Sequence, residues 1–215
     1  MFLNKYKQAL AVILKKPVML WGLSLLSVVI TGLLTIVTAP IFILGTAISV
    51  LVSCGMVKVY LDGLKGKEVN SDQLFAAFNK NALRVIGAMA WMGLWIVIWA
   101  MIPIAGPIIA IVKAYSYRFV PYIVMTKPDV TATQALRLSM EMTKGKKGQM
   151  FLADLCFYGG IFVVNFVVGL LAAIPILGLL FALALLVFNI AVSLFSTIFV
   201  GLYSAAFYDD AADAE

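Results

Sequence analysis

The run Leu179-Leu-Phe-Ala-Leu-Ala-Leu-Leu-Val-Phe-Asn-Ile-Ala-Val-Ser-Leu-Phe-Ser-Thr-Ile-Phe-Val-Gly-Leu-Tyr-Ser-Ala-Ala206 carries no charged side chain. It is longer than the roughly 20 residues that a helix, rising 1.5 Å per residue, needs to cross a hydrocarbon layer of about 30 Å. Only helices and closed barrels satisfy their backbone polar groups inside a bilayer. The run lacks the apolar and polar alternation of a barrel strand, so it reads as a helix. The same reading finds five more apolar runs, near residues 18–37, 41–60, 85–102, 107–125 and 150–173. The sequence therefore predicts an all-α membrane protein with six transmembrane helices.

Composition points the same way. Of the 215 residues 64% are hydrophobic and only 12% charged, and the mean hydropathy is +1.07, which excludes an ordinary soluble core. Lys5, Lys7, Lys15 and Lys16 precede the first run as they would in a signal peptide. Its apolar stretch is too long for one, however, and Pro40 directly follows the small-residue site Val37-Thr38-Ala39, so the run is read as retained. There is no histidine, and Cys54 and Cys156 lie inside apolar runs without CxxC spacing. Both read as core thiols, with no metal or cofactor implied. Without histidine, no Ser or Cys has a candidate activating partner, so no enzyme is expected.

Charge placement gives the threading. The expected hairpin tips Thr38-Ala-Pro40, Ile102-Pro-Ile-Ala-Gly-Pro107 and Ile174-Pro-Ile-Leu-Gly178 hold none of the 16 Lys and Arg. These lie in the N-terminal arm, between Lys58 and Arg84, and between Lys113 and Lys147. Because basic residues stay in the cytoplasm, both termini and both long loops are expected there. Lys5, Lys7, Lys15, Lys16, Lys144, Lys146 and Lys147 form a candidate rim for anionic lipid on the cytoplasmic side. Residues 1–208 read as a single polytopic membrane domain. The tail 209–215, with Asp209, Asp210, Asp213 and Glu215, reads as disordered.

Each cytoplasmic segment also reads as a short amphipathic helix feeding a transmembrane hairpin. Phe2, Tyr6, Ala9 and Ile13 share one face of the first. In the second, Ser71 is placed to cap a helix bearing Leu74, Phe75 and Phe78. In the third, Thr131 and Gln134 have capping-box spacing, Ala135, Leu138 and Met142 form a stripe, and Gly145 stops the helix. Val69-Asn-Ser-Asp-Gln73 aligns with Val130-Thr-Ala-Thr-Gln134, which gives three parallel hairpin repeats near 1–61, 62–125 and 126–208.

Two patterns inside the runs are candidates for function. Trp91, Trp95 and Trp99 recur every four residues. Gly45, Ser49 and Ser53, and likewise Ser193, Thr197, Gly201 and Ala205, do so with small side chains. Large ridges packed on small grooves account for these stripes, with a groove for a lipid tail or hydrophobic peptide as the competing reading. Lys113 and Arg118 lie within the fourth run, and an unpaired charge near the bilayer centre costs about 3 kcal/mol on insertion scales. Lys113 is close enough to the turn at Gly106 to snorkel outward. Arg118, seven residues from Met125, and Asp154, five beyond Gln149, reach matching depths of roughly 10 and 8 Å. Asp154 is therefore held by Arg118, by its own helix start, or by both. Asn165 and Asn189 need interhelical hydrogen bonds and can line the same interior.

The residues Ser139-x-Glu-Met142-x-Lys-Gly145-x-Lys147, Phe151 and Asp154-Leu-x-Phe157, following Tyr115 and Lys127-Pro128, resemble the signature of the DUF975 family of bacterial integral membrane proteins. The resemblance covers roughly residues 55–205. A tryptophan expected soon after Phe157 is replaced by Gly159 and Gly160. The resemblance implies a bacterial cytoplasmic membrane and nothing catalytic. The expected partners are membrane lipids and a protein or membrane-active peptide, with no nucleic acid. The function expected is non-enzymatic binding of such a partner; the alternative is a small transporter or channel with Lys113, Arg118, Asp154, Asn165 and Asn189 around a polar cavity.

Overall fold

A computed structural model describes residues 2–15, 17–37, 42–79, 82–172, 174 and 177–213. The described residues form nine α-helices and one 3₁₀ helix and contain no strand. In chain order these are α1 (Phe2–Lys15), α2 (Pro17–Val37), α3 (Phe42–Leu64), the 3₁₀ helix (Ser71–Phe78), α4 (Ala82–Ala100), α5 (Gly106–Ser116), α6 (Val120–Thr126), α7 (Ala132–Met142), α8 (Lys147–Ala172) and α9 (Gly178–Ala212). Five spans are long and apolar enough to cross a membrane: α3, α4, α5 with α6, α8 and α9. A sixth arises if α1 and α2, which meet at 98°, are taken together. The described residues are thus all-helical or in turns, with several helices long and apolar enough for a bilayer.

Where the side chains are buried explains the setting. The core gathers Leu51 to Leu61 of α3, Val120 to Val124 of α6, Met150 and Ala153 of α8, and Ile198 to Ala211 of α9, together with α1, α7 and the 3₁₀ helix. This is the end that carries the basic segments. Further along, α8 exposes Phe162, Phe166 and Leu170, and α9 exposes Leu179, Leu183 and Val187. In water such surface costs about 25 cal/mol per Å², whereas among lipid tails it costs nothing.

The fourth run is not one helix. Tyr117, Arg118 and Phe119 form a turn between α5 and α6. Pro121 supplies the reason, since it lacks an N–H for the carbonyl of Tyr117 and its ring crowds that carbonyl. The exposed carbonyl ends are closed from α7. Ser139 Oγ donates to the Ser116 carbonyl at 2.7 Å and accepts from the Phe119 N–H at 3.2 Å, while Thr143 Oγ1 donates to the Ser139 carbonyl at 2.8 Å. All three hydroxyl residues, Ser116, Ser139 and Thr143, are buried.

The segments expected on the cytoplasmic side differ from their expected forms. Thr131 and Gln134 do make the capping box. The buried face of α7, however, is Ala135, Leu136, Ser139 and Met142, with Leu138 only half-buried. The second segment is a 3₁₀ helix capped at Asn70 without a side-chain bond. It buries Leu74 and Ala77 and leaves Phe75 and Phe78 outside, their rings tilted against each other at 5.8 Å. It lies so close to α3 that a methyl at Gly55 would overlap the Leu74 carbonyl. The expected disordered tail is also corrected: α9 continues through Asp209 and Asp210 to Ala212, because Lys5 pairs with Asp210 and Lys65 with Asp209 at 3.3 Å. Cys156, expected in the core, is exposed on α8, whereas Cys54 is buried.

The aromatic and small-residue stripes meet other partners than expected. Tyr60 of α3 fills the groove at Gly201 and donates to the Thr197 carbonyl at 2.8 Å, so the large ring on this small-residue stripe is a tyrosine. Along α4, Trp91 meets Trp95 edge to face at a centroid separation of 5.9 Å, and Trp95 lies tilted against Trp99 at 6.4 Å. α4 packs against α5, α6, α7 and α3. Gly45 is buried, Ser49 half-buried, and Ser53 is exposed with its hydroxyl returned to the Ser49 carbonyl. The tip Thr38 to Pro40 and Lys16 lie outside the described residues.

Candidate functional site

Three elements build one charged centre. The turn after α5 carries Arg118, α8 carries Asp154 just past its second turn, and α9 carries Tyr203 and Ser204. Arg118 meets Asp154 through both prongs, Nη1 to Oδ2 at 2.5 Å and Nη2 to Oδ1 at 3.1 Å. The guanidinium also donates to Ser204 Oγ from Nε at 3.2 Å and from Nη2 at 2.9 Å. The carboxylate accepts two further protons, from Tyr115 Oη at 2.8 Å and from Tyr203 Oη. The rings of Tyr115 and Tyr203 lie 5.6 and 5.4 Å from the guanidinium carbon. Opposite charges cancel, and each guanidinium nitrogen and each carboxylate oxygen has a hydrogen-bond partner, which is the condition under which a buried pair repays its desolvation.

α1 closes this centre from the side. Tyr6 donates to the Ala153 carbonyl, and its ring packs on Phe199 at 4.8 Å and Tyr203 at 5.5 Å. Beside the pair opens a groove of about 400 Å³, based on Tyr115, Arg118 and Asp154 and walled by Ile111, Ala114, Tyr158 and Val200. Ile111 and Tyr158 are half exposed on the outer surface of the helices, so the groove opens sideways rather than along the bundle axis.

The five polar residues expected around one interior occupy three places. Arg118 and Asp154 are together. Asn189 donates to Asn165 Oδ1 at 2.8 Å between α9 and α8, eleven residues or about 16 Å along the helix from Asp154. Lys113 Nζ sits 4.7 Å from the Trp99 ring centre. The expected lipid rim is likewise divided. Lys7, Lys15 and Lys144 are exposed and Lys146 and Lys147 half-buried. Lys5 is buried instead, donating to the Ala206 carbonyl at 2.9 Å as well as pairing with Asp210. Its place on α1 follows from the chain turn: position 5 falls between Phe2 and Ala9 on the packed face.

Sequence reasoning missed Tyr203 and Ser204, whose signal is a polar pair inside the otherwise apolar stretch 198–207 of α9. It also missed Arg84. From α4, Arg84 donates to the carbonyls of Val124 at 2.6 Å and Val130 at 3.0 Å, and so fixes the connection from α6 to α7.

A family model described as a protein of unknown function (DUF975) matches residues 87–210, from α4 to α9, which include Arg118, Asp154, Tyr203 and Ser204. No curated protein and no solved structure matches the chain.

Proposed function

The chain belongs to the DUF975 family of unknown function, and from that premise we propose that it is a non-enzymatic, multipass protein of the bacterial cytoplasmic membrane that binds a membrane lipid. The observation that carries this reading is the sideways groove of about 400 Å³ with a neutralised charge pair and Tyr115 at its base and Tyr158 in its wall. An amphiphile entering from the bilayer finds apolar walls for a chain and polar atoms for a head. Pockets of this kind, mostly apolar with few fixed polar groups, are the usual form of ligand site.

Mild-detergent extraction followed by native mass spectrometry tests it. Lipid should stay bound to the native protein. Ala114→Trp, which fills the groove, should lower the lipid-bound fraction severalfold, and Phe166→Trp outside it should not. Equal retention in all three proteins would remove the groove as the site. A membrane-active peptide competing with lipid would reassign the occupant.

The threading belongs to the same proposal. Both termini lie in the cytoplasm, and α2 with α3, α4 with α5 and α6, and α8 with α9 are three parallel hairpins, each entered from a cytoplasmic segment. The uncharged turn at Ile102–Pro107 and the basic residues at the other end support it. A cysteine placed at Ala105 should react with an impermeant reagent added outside, and one at Lys67 should not; the reverse labelling overturns the orientation.

The break at Tyr117–Phe119 favours a second reading, because interrupted helices beside a charge are how transporters build solute sites. That reading requires flux in reconstituted vesicles that is lost when Arg118 and Asp154 are exchanged in a protein that still folds.

A further inference from the structure

The first helix meets three environments around its circumference. Successive residues advance about 100° around a helix. On that wheel Leu3, Lys7, Leu10 and Leu14 share an arc of about 60°. Asn4, Gln8, Ala11 and Lys15 follow in a second arc of similar width, and Phe2, Lys5, Tyr6, Ala9, Val12 and Ile13 fill the remaining side. The structure gives each arc a different surrounding. The widest is packed on protein, with Lys5, Ala9 and Ile13 buried against α8 and α9. The second is exposed and polar. Gln8 and Ala11 border a cleft shared with Leu64 and Asp209, and Lys15 borders one shared with Gly66, so this arc looks toward the chain segments at the ends of α3 and α9. The third is exposed and apolar: Leu3, Leu10 and Leu14 are 59%, 41% and 77% accessible.

We infer that the Leu3, Leu10 and Leu14 face of α1 is a seat in the lipid monolayer, with the helix lying in the membrane interface and Lys7 at the level of the lipid phosphates. Three observations choose lipid over a second protein. α1 turns by 98° into α2, so if α2 crosses the bilayer α1 lies close to its plane. Val18, at the start of α2 beyond the bend, is likewise apolar and 85% exposed. The polar arc sits beside Asp209 and Gly66, which marks the water side and leaves the leucines toward the hydrocarbon. A helix with apolar side chains down, a lysine at the edge and polar residues up is the form that binds at an interface. The inner face adds a consequence: Tyr6 touches Ala153 and Tyr203, so the depth of α1 bears directly on the Arg118 and Asp154 pair.

The inference rests on the bilayer setting proposed above, and the test separates the two. Single cysteines at Leu10, Leu14, Gln8 and Val167 are introduced in a Cys156→Ser background, spin-labelled, and reconstituted in phosphatidylglycerol and phosphatidylcholine vesicles. Labels at Leu10 and Leu14 should relax severalfold more with oxygen than with an aqueous nickel chelate, and the label at Gln8 should do the opposite. Nickel preference at Leu10 and Leu14, with oxygen preference at Val167 on α8, overturns the seat and keeps the bilayer setting. Nickel preference at Val167 as well overturns both. Labels at Leu10 and Leu14 shielded from both reagents give the face to a second copy of the chain and overturn the lipid assignment.

Discussion

Asp154→Ala is expected to cost roughly 3–5 kcal/mol of stability, the range for breaking a buried ion pair from one side. The loss exceeds that of a surface salt bridge because Arg118 and Asp154 each keep only 16% of their side-chain surface exposed. With the carboxylate gone, Arg118 stays charged among Tyr115, Tyr203 and Ser204, none of which carries a balancing charge. Arg118→Ala strands the carboxylate in the same way, though Tyr115 and Tyr203 still donate to it, so its cost should be the smaller of the two. The double change removes both charges and should cost less than the sum of the singles. Asp154→Asn keeps acceptor and donor atoms at the position and should fall between native and Asp154→Ala. Thermal unfolding in detergent, read as monodisperse protein remaining after heating, measures all four. Strictly additive single effects would mean that the two side chains do not support each other.

Gly55→Ala is the second large effect, expected at about 1–3 kcal/mol or more, because overpacking a close contact forces the backbone to move. The obstacle at Gly55 is the Leu74 carbonyl and its neighbouring backbone atoms, so the 3₁₀ helix as a whole must shift. Gly201→Ala meets the ring of Tyr60 instead, which is a side chain. The two therefore differ in how they are rescued. Tyr60→Leu should restore part of the stability lost in Gly201→Ala, while no trimming of a single side chain at Leu74 should restore Gly55→Ala. If Tyr60→Leu leaves Gly201→Ala as unstable as before, the helix contact at Gly201 is not what fixes α3 on α9.

The apolar helices and the matched depths of Arg118 and Asp154 were legible because both follow from a rise of 1.5 Å per residue, which holds for any helix. Spacing also says which residues share a face. It does not say which faces meet, and so the ring that fills the groove at Gly201, Tyr60, was not foreseen. Lys5 was placed in the lipid rim by its charge, although a long aliphatic stem lets a lysine cross apolar surface to reach Ala206 and Asp210. Ser139 was passed over because an apolar stripe was sought, yet its hydroxyl seals the break before α6. That break had a signal in Pro121, which ends an incoming helix as surely as it opens the next. Tyr203 and Ser204 belong to a pairing between helices distant in sequence, which no local pattern records.

The length of α9 sets an order of events. Its 35 residues extend about 52 Å, well beyond one hydrocarbon layer, and its final third supplies Tyr203, Ser204, the Ala206 carbonyl and Asp210 to partners on α1, α8 and the turn after α5. A ribosome makes α9 after every helix that it joins. Until it emerges, Tyr60 has no Gly201 to rest on, Lys5 has no carboxylate, and Arg118 holds Asp154 without the two hydroxyl neighbours from α9. The contacts that tie α1, α3, α8 and the turn after α5 to one another through α9 are therefore the last that the growing chain can make.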